Sequence, residues 1–197
     1  GFVHNFRYEE ALPLLKELSE TNDYELRFSM RLFNCYLHRG KIDEAADLIQ
    51  KMRDTNAGKF LPGIELNEGL LEMARNNTQK AGELFKRLLA VDPESSSTHT
   101  YIGQAYARRY FYQEAETCFR KAISIDKENI FALEGLANML YKTNRHEEAL
   151  DFLMNLVETT FYFPRAHALI GEILSDAGYF DKAAESFEVA LQMNVND

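Results

Sequence analysis

The side chains here that could do chemistry are five histidines (His4, His38, His99, His146, His167), two cysteines (Cys35, Cys118) and a surplus of carboxylates. Zinc-binding histidines stand about four apart on one helix face. No two of these histidines do, and the two cysteines are isolated in sequence. The cysteines predict two reduced, semi-buried thiols rather than a disulfide or a metal site. Acid–base catalysis needs groups converging on one pocket. The acidic residues instead gather in pairs such as Asp43-Glu44 and Glu147-Glu148 at expected helix starts, where a negative charge favours the helix dipole. His99 and His167 fall at large packing positions. No G-x-x-x-x-G-K or G-x-G-x-x-G phosphate loop and no G-x-S-x-G nucleophile turn occurs. The residues predict no enzyme, no metal and no cofactor.

Composition narrows the partners. The chain has 197 residues, is 46% hydrophobic and carries a net charge of −9. A nucleic-acid binder needs a basic stripe to meet phosphates, and none is visible. The 10 tyrosines and 14 phenylalanines could stack on bases, but most fall at helical packing spacing. No apolar run approaches the roughly 20 residues that cross a bilayer, and no charged-then-apolar leader opens the sequence. Membrane insertion is not expected. The few cysteines suit a cytoplasmic and a periplasmic setting alike.

The element that must position any site is a repeat. One alanine recurs in a constant setting: Ala11, Ala45, Ala81, Ala115, Ala149 and Ala183, at intervals of 34, 36, 34, 34 and 34 residues. Four residues later stands Leu15, Ile49, Phe85, Phe119, Leu153 or Phe187. Seven residues later stands Leu18, Met52, Leu88, Ala122, Leu156 or Ala190. Those spacings put the side chains on one helical face. An upstream pattern reads His99, Ile102, Gly103, Tyr106, then Leu133, Leu136, Ala137, Leu140, then His167, Ile170, Gly171, Leu174. Turn signals such as Arg39-Gly40-Lys41 and Ala177-Gly178-Tyr179 separate the two patterns. Each unit therefore predicts helix, short turn, helix. Gly103 or Gly171 on the first helix and the alanine on the second are expected to give the close approach.

The run Gly103, Tyr106, Ala115, Phe119, Ala122, with Val91-Asp92-Pro93 as a unit-ending turn, resembles the tetratricopeptide repeat family. The resemblance covers nearly the whole chain. It implies an all-α, right-handed superhelical solenoid of helix-turn-helix hairpins. The expected array is one domain, 1–197: a leading half-repeat over 1–25, then units over 26–62, 63–95, 96–129, 130–163 and 164–197. The usual tryptophan is absent, and the unit before Ala81 departs most. Glu65, Glu68 and Glu72 occupy places that a strict 34-residue register would bury. An insertion of about three residues near Phe60-Leu61-Pro62, with one residue lost from the next turn, would explain this. It predicts a longer connection around Asn56 to Gly63.

The family's groove, carried over by register, implies a partner face made of Arg27, Asn34, His38, Gln104, Arg108, Glu134, Asn138, Tyr141, Lys142, Arg165 and Glu172, with Thr100 and Phe131 beside them. That mix suits an extended peptide or a helix laid in a groove. The basic carboxylate clamp of some members is not expected, since Met30, Ser97 and Tyr101 stand where its cations belong. The resemblance thus implies a non-catalytic scaffold that binds a protein or peptide. The alternative is a regulatory or assembly segment of a larger enzyme. The aromatic runs Tyr110-Phe111-Tyr112 and Phe161-Tyr162-Phe163 read either as hairpin packing or as exposed anchors. The sequence begins halfway through a unit and ends after a second helix with no polar cap. Hence Tyr179, Phe180, Phe187 and Leu191 are expected to be covered by further chain or by self-association.

Overall fold

A computed structural model describes residues 12–17, 26–56, 61–159 and 162–194. The side chains of Leu26, Arg27, Thr159 and Asn194 lie outside that description, as do Ala11, Leu18 and Phe161. All regular structure among the described residues is helical. The chain divides into two compact units, Gly1–Pro93 and Glu94–Asp197.

The first unit holds α1 (12–17), α2 (Leu26–His38), α3 (Ile42–Thr55), α4 (Pro62–Ala74) and α5 (Thr78–Val91). The second holds α6 (Ser96–Arg108), α7 (Tyr112–Ile125), α8 (Ile130–Lys142), α9 (His146–Thr159), α10 (Pro164–Asp176) and α11 (Phe180–Asn194). From α2 onward the helices alternate between a first and a second helix of a hairpin. Each hairpin closes with a three-residue turn whose middle residue has positive φ: Gly40, Asn76, Tyr110, Asn144 and Gly178. The next backbone N–H then reaches back to the first helix, as in Lys41 to the Tyr36 carbonyl at 2.9 Å and Tyr179 to the Leu174 carbonyl at 2.8 Å. This is the left-handed cap that ends a helix and satisfies its last carbonyls.

The recurring alanine is the fourth residue of α3, α5, α7, α9 and α11, and all five copies are buried. What stands nearest the glycine of the first helix is an aromatic ring. Gly103 faces Phe119 and Gly171 faces Phe187, the aromatic four residues after each alanine. The tightest approach at these glycines is thus ring on backbone. Gly69 makes the same contact with Phe85.

The 36-residue interval comes from the expected longer connection, but without the expected loss from the next turn. The turn before α5 keeps its three residues, so nothing is lost there. The link from Thr55 to Pro62 has six residues where later inter-hairpin links have four; residues 57–60 of it lie outside the description. Both extra residues sit in the link, and α4 keeps the repeat register. Glu65, Glu68 and Glu72 therefore do stand at its fourth, seventh and eleventh positions, where α8 has Leu133, Leu136 and Leu140. Burying them would be prohibitive without counter-charges, and these are supplied. Glu65 (8% exposed) pairs with Arg53 at 3.1 Å and Arg87 at 2.7 Å. Glu68 takes the guanidinium of Arg53. Glu72 (5% exposed) accepts from Asn77 at 2.8 Å, Lys80 at 3.1 Å and Arg75 at 3.3 Å. Burial raises the Glu72 pKa, but the bonds from Asn77, Lys80 and Arg75 outweigh it and leave the carboxyl below its usual range.

The second unit has a large apolar core with no buried carboxylate among the described residues. Phe119, Leu133, Leu136, Leu140, Leu153, Phe163 and Ile173 belong to one continuous core. Burying side chains of this size stabilises by roughly 1.5–3 kcal/mol each. Both cysteines are free and buried. Burial, with the Glu114 charge adding, pushes the Cys118 thiol up to about 11, and burial raises Cys35 as well. These are packed thiols that stay protonated at neutral pH.

Candidate binding groove

Within the second unit the backbones of neighbouring first helices approach one another, α6 beside α8 and α8 beside α10. Those of the second helices α7, α9 and α11 do not. Long ion-paired side chains join α7 to α9 and the turn before it instead: Arg145 to Glu116 at 2.7 Å and Arg120 to Glu148 at 2.8 Å. The first helices are therefore the more closely spaced layer of this unit.

Local sequence fixes where these helices start. Ser95 caps α6 by accepting from the Thr98 N–H, and Asn129 caps α8 by accepting from the Ala132 N–H at 3.0 Å. The Asn129 amide also donates to the hydroxyls of Ser96 at 2.7 Å and Thr100 at 2.9 Å, tying α8 to α6. Pro164 opens α10, where a missing N–H costs nothing.

A cavity of about 180 Å³ opens between α8 and α10. Its floor is apolar, built from Ala137, Leu153, Phe163, Ala166 and Leu169, all buried. Glu134, Asn138, Arg165 and Glu172 line it as polar groups. Arg165 Nη1 pairs with Glu134 Oε1 at 2.6 Å across the two helices. Asn138 donates to the Glu134 carbonyl at 2.9 Å. Farther along, Tyr141 donates to Asp176 at 2.5 Å, a second α8–α10 bridge. That bond, with desolvation and the Asp176 and Glu172 charges behind it, pushes the Tyr141 hydroxyl up to about 12. Phe131 stands 60% exposed one turn before Glu134.

Four of the expected partner-face residues, Glu134, Asn138, Arg165 and Glu172, thus line one cavity. Tyr141 lies on the same α8 face but is engaged with Asp176, which sequence reasoning did not single out. Lys142 and Arg108 are exposed at the ends of α8 and α6, and Gln104 is half-buried on α6. Asn34 is half-buried and His38 exposed on α2 of the first unit. The Arg27 side chain falls outside the described residues. Thr100 is not open to a partner: it is buried, bonding to the Ser96 carbonyl at 2.9 Å and to Asn129. Sequence reasoning named Phe163 only within an aromatic run, and it missed Leu169 and Leu153 as floor residues. Their only signal was apolar spacing, which equally reads as core.

Of the aromatic runs, Tyr110 is 77% exposed, with its ring edge-on to Tyr112. Phe163 is buried, and Tyr162 donates to the Met193 carbonyl at 2.6 Å. Among the described residues no helix is long and apolar enough to cross a membrane.

Hairpins of this length, with this alanine phase and these glycine–phenylalanine contacts, define tetratricopeptide architecture. Three models described as tetratricopeptide repeat match residues 2–59, 66–130 and 164–196, and the chain belongs to that family. Family members are interaction scaffolds built on this all-α hairpin fold. The chain is 28% identical over 135 residues to the type IV pilus assembly protein PilF of Pseudomonas aeruginosa, covering 68% of this chain and 53% of that protein. It is 22% identical to lipopolysaccharide assembly protein B of Escherichia coli, over 77% of this chain and 40% of that protein. The chain thus spans about half or less of these relatives. Among solved structures, MamA matches 84% of this chain and 95% of its own at a TM-score of 0.62 and 20% identity. A tetratricopeptide repeat protein from Parabacteroides merdae matches 98% of this chain and 74% of its own at 0.67 and 19% identity. At these identities the solved structures speak to the fold.

Proposed function

We propose that this chain is a non-catalytic scaffold that holds a protein partner through the first-helix face of its second unit, taking an extended peptide or a helix. The cavity between α8 and α10 is the observation that carries this reading. An apolar floor with convergent polar groups is the usual form of a recognition site, and the exposed Phe131 ring supplies an anchor of the kind that dominates interfaces. The names of two relatives, both assembly proteins, are in keeping with a scaffold role. The test places a photoreactive amino acid at Asn138, at Phe131 and, as control, at the exposed Asp151 on α9. Illumination in native extract should give the same partner adduct from positions 138 and 131 and none from 151. Equal adduct yield from all three positions overturns the reading.

Self-association is a second reading, favoured by the exposure of Phe180 (70%) and Leu191 (63%) on α11. Phe187 is the wrong residue with which to test it, because its ring packs against Gly171. Sedimentation equilibrium should show association that Leu191→Glu abolishes. A monomer at all concentrations sinks it.

A further inference from the structure

Resting on that groove reading, we infer that the cavity between α8 and α10 selects a partner segment carrying a lysine or arginine, with Glu172 as its counter-charge and the apolar floor holding its aliphatic stem.

The charges of the cavity carry this. Its lining includes two carboxylates, Glu134 and Glu172, and one cation, Arg165. Arg165 is already committed to Glu134 at 2.6 Å. Glu172 has no ion-pair partner among the described residues and is exposed at the mouth. Asp176, one turn further along α10, adds a third carboxylate at the same end and is bonded only to the neutral Tyr141 hydroxyl among the contacts described. The bond to Asp176 is the main cause of the raised Tyr141 pKa, and the Glu172 charge adds to it in the same direction. The same cavity is lined with hydrocarbon from Phe163, Leu169 and Ala137. Lysine and arginine have this division, a hydrocarbon stem and a charged head that stays near water. An acidic side chain would meet Glu172 and Asp176 as like charges. A purely apolar one would fill the floor but leave the carboxylate unmatched. The net charge of −9 steers basic segments toward the protein in general; the cavity gives one of them a seat.

The test is selection from a library of random twelve-residue peptides displayed on phage, with the full chain as bait. Enriched peptides should share one basic position. Their affinity should fall about ten- to a hundredfold on Glu172→Gln, the worth of one hydrogen bond to a charged group. Selection against Glu172→Lys should replace the basic position with aspartate or glutamate. Glu172 is exposed, so an unchanged thermal melt confirms that both variants fold. Peptides that enrich without a basic position, or that ignore Glu172→Gln, overturn the inference. If such peptides still block the Asn138 crosslink, the groove reading survives. Failure to enrich any peptide overturns the inference too, and the crosslink then decides the groove separately.

Discussion

Phe119 lies against Gly103 with no room for a methyl group between them. A β-carbon on Gly103 would stand 2.9 Å from Cε1 of the ring, and one on Gly135 of the next hairpin 2.5 Å from the same atom. The ring is held from two first helices at once and cannot swing away from either. Gly103→Ala is therefore expected to lower stability, by up to about 2 kcal/mol. The overpacking cost of roughly 1–3 kcal/mol exceeds the gain of about 1 kcal/mol from helix propensity. Urea denaturation reads this directly, and a variant at least as stable as the wild type would show that the ring has room to shift.

The glutamates of α4 make a prediction about acid. The folded-state pKa of Glu72 is lowered, so its contribution is complete above the ordinary glutamate range, near pH 4.3. It is lost as pH falls through the lower folded value. Stability of the wild type should drop more steeply between about pH 5 and pH 3 than that of Glu72→Gln, whose neutral amide does not titrate. Denaturation midpoints at a series of pH values decide it. Parallel acid limbs would mean that Glu72 is not held as the structure shows.

The same three glutamates mark where the sequence could and could not be read. The hairpin fold was legible because Ala45, Ala81, Ala115, Ala149 and Ala183 keep phase with an apolar residue four positions on, a pattern only a helix satisfies. The register of α4 was not, because three carboxylates at packing positions argue for a shift. Only the positions of Arg53, twelve residues from Glu65 and fifteen from Glu68, Arg87, twenty-two from Glu65, and Lys80, eight from Glu72, remove the conflict. Sequence spacing does not display pairings across helices. The cavity has the same asymmetry. Glu134, Asn138, Arg165 and Glu172 follow from helical register, whereas Thr100, in a comparable place, is taken up by Asn129 from the following link. Whether a polar side chain faces a partner or a neighbouring helix depends on what that helix offers.

Asn129 joins three functions in one side chain: it caps α8 and donates to Ser96 and Thr100 on α6. Asn129→Ala should cost about 1–3 kcal/mol, a lost cap of about 1 kcal/mol plus two bonds of about 0.5–1.5 kcal/mol each, in part replaced by water. Asn129→Asp keeps the cap acceptor but loses the donating amide. It should fall between wild type and alanine. A melt of Asn129→Ala that matches the wild type would remove the α6–α8 tie as a source of stability.

Tyr110 stands in the turn between α6 and α7 at φ 64°, the conformation held by Gly40, Asn76, Asn144 and Gly178 in the other four turns. A left-handed residue with a β-carbon costs roughly 1–2 kcal/mol, and asparagine is among the side chains that bear it best. The Tyr110 ring recovers little of this, being largely exposed with one edge contact to Tyr112. Tyr110→Asn is therefore expected to raise stability by about 0.5–1 kcal/mol. The comparison to make is with Asn144→Tyr, which puts the same ring into the turn of the next hairpin and should lower stability by a similar amount. If both variants lose stability, the Tyr110–Tyr112 contact outweighs the backbone strain. If Tyr110→Asn gains, the ring is kept against its own folding cost, and crosslinking from position 110 shows what it touches.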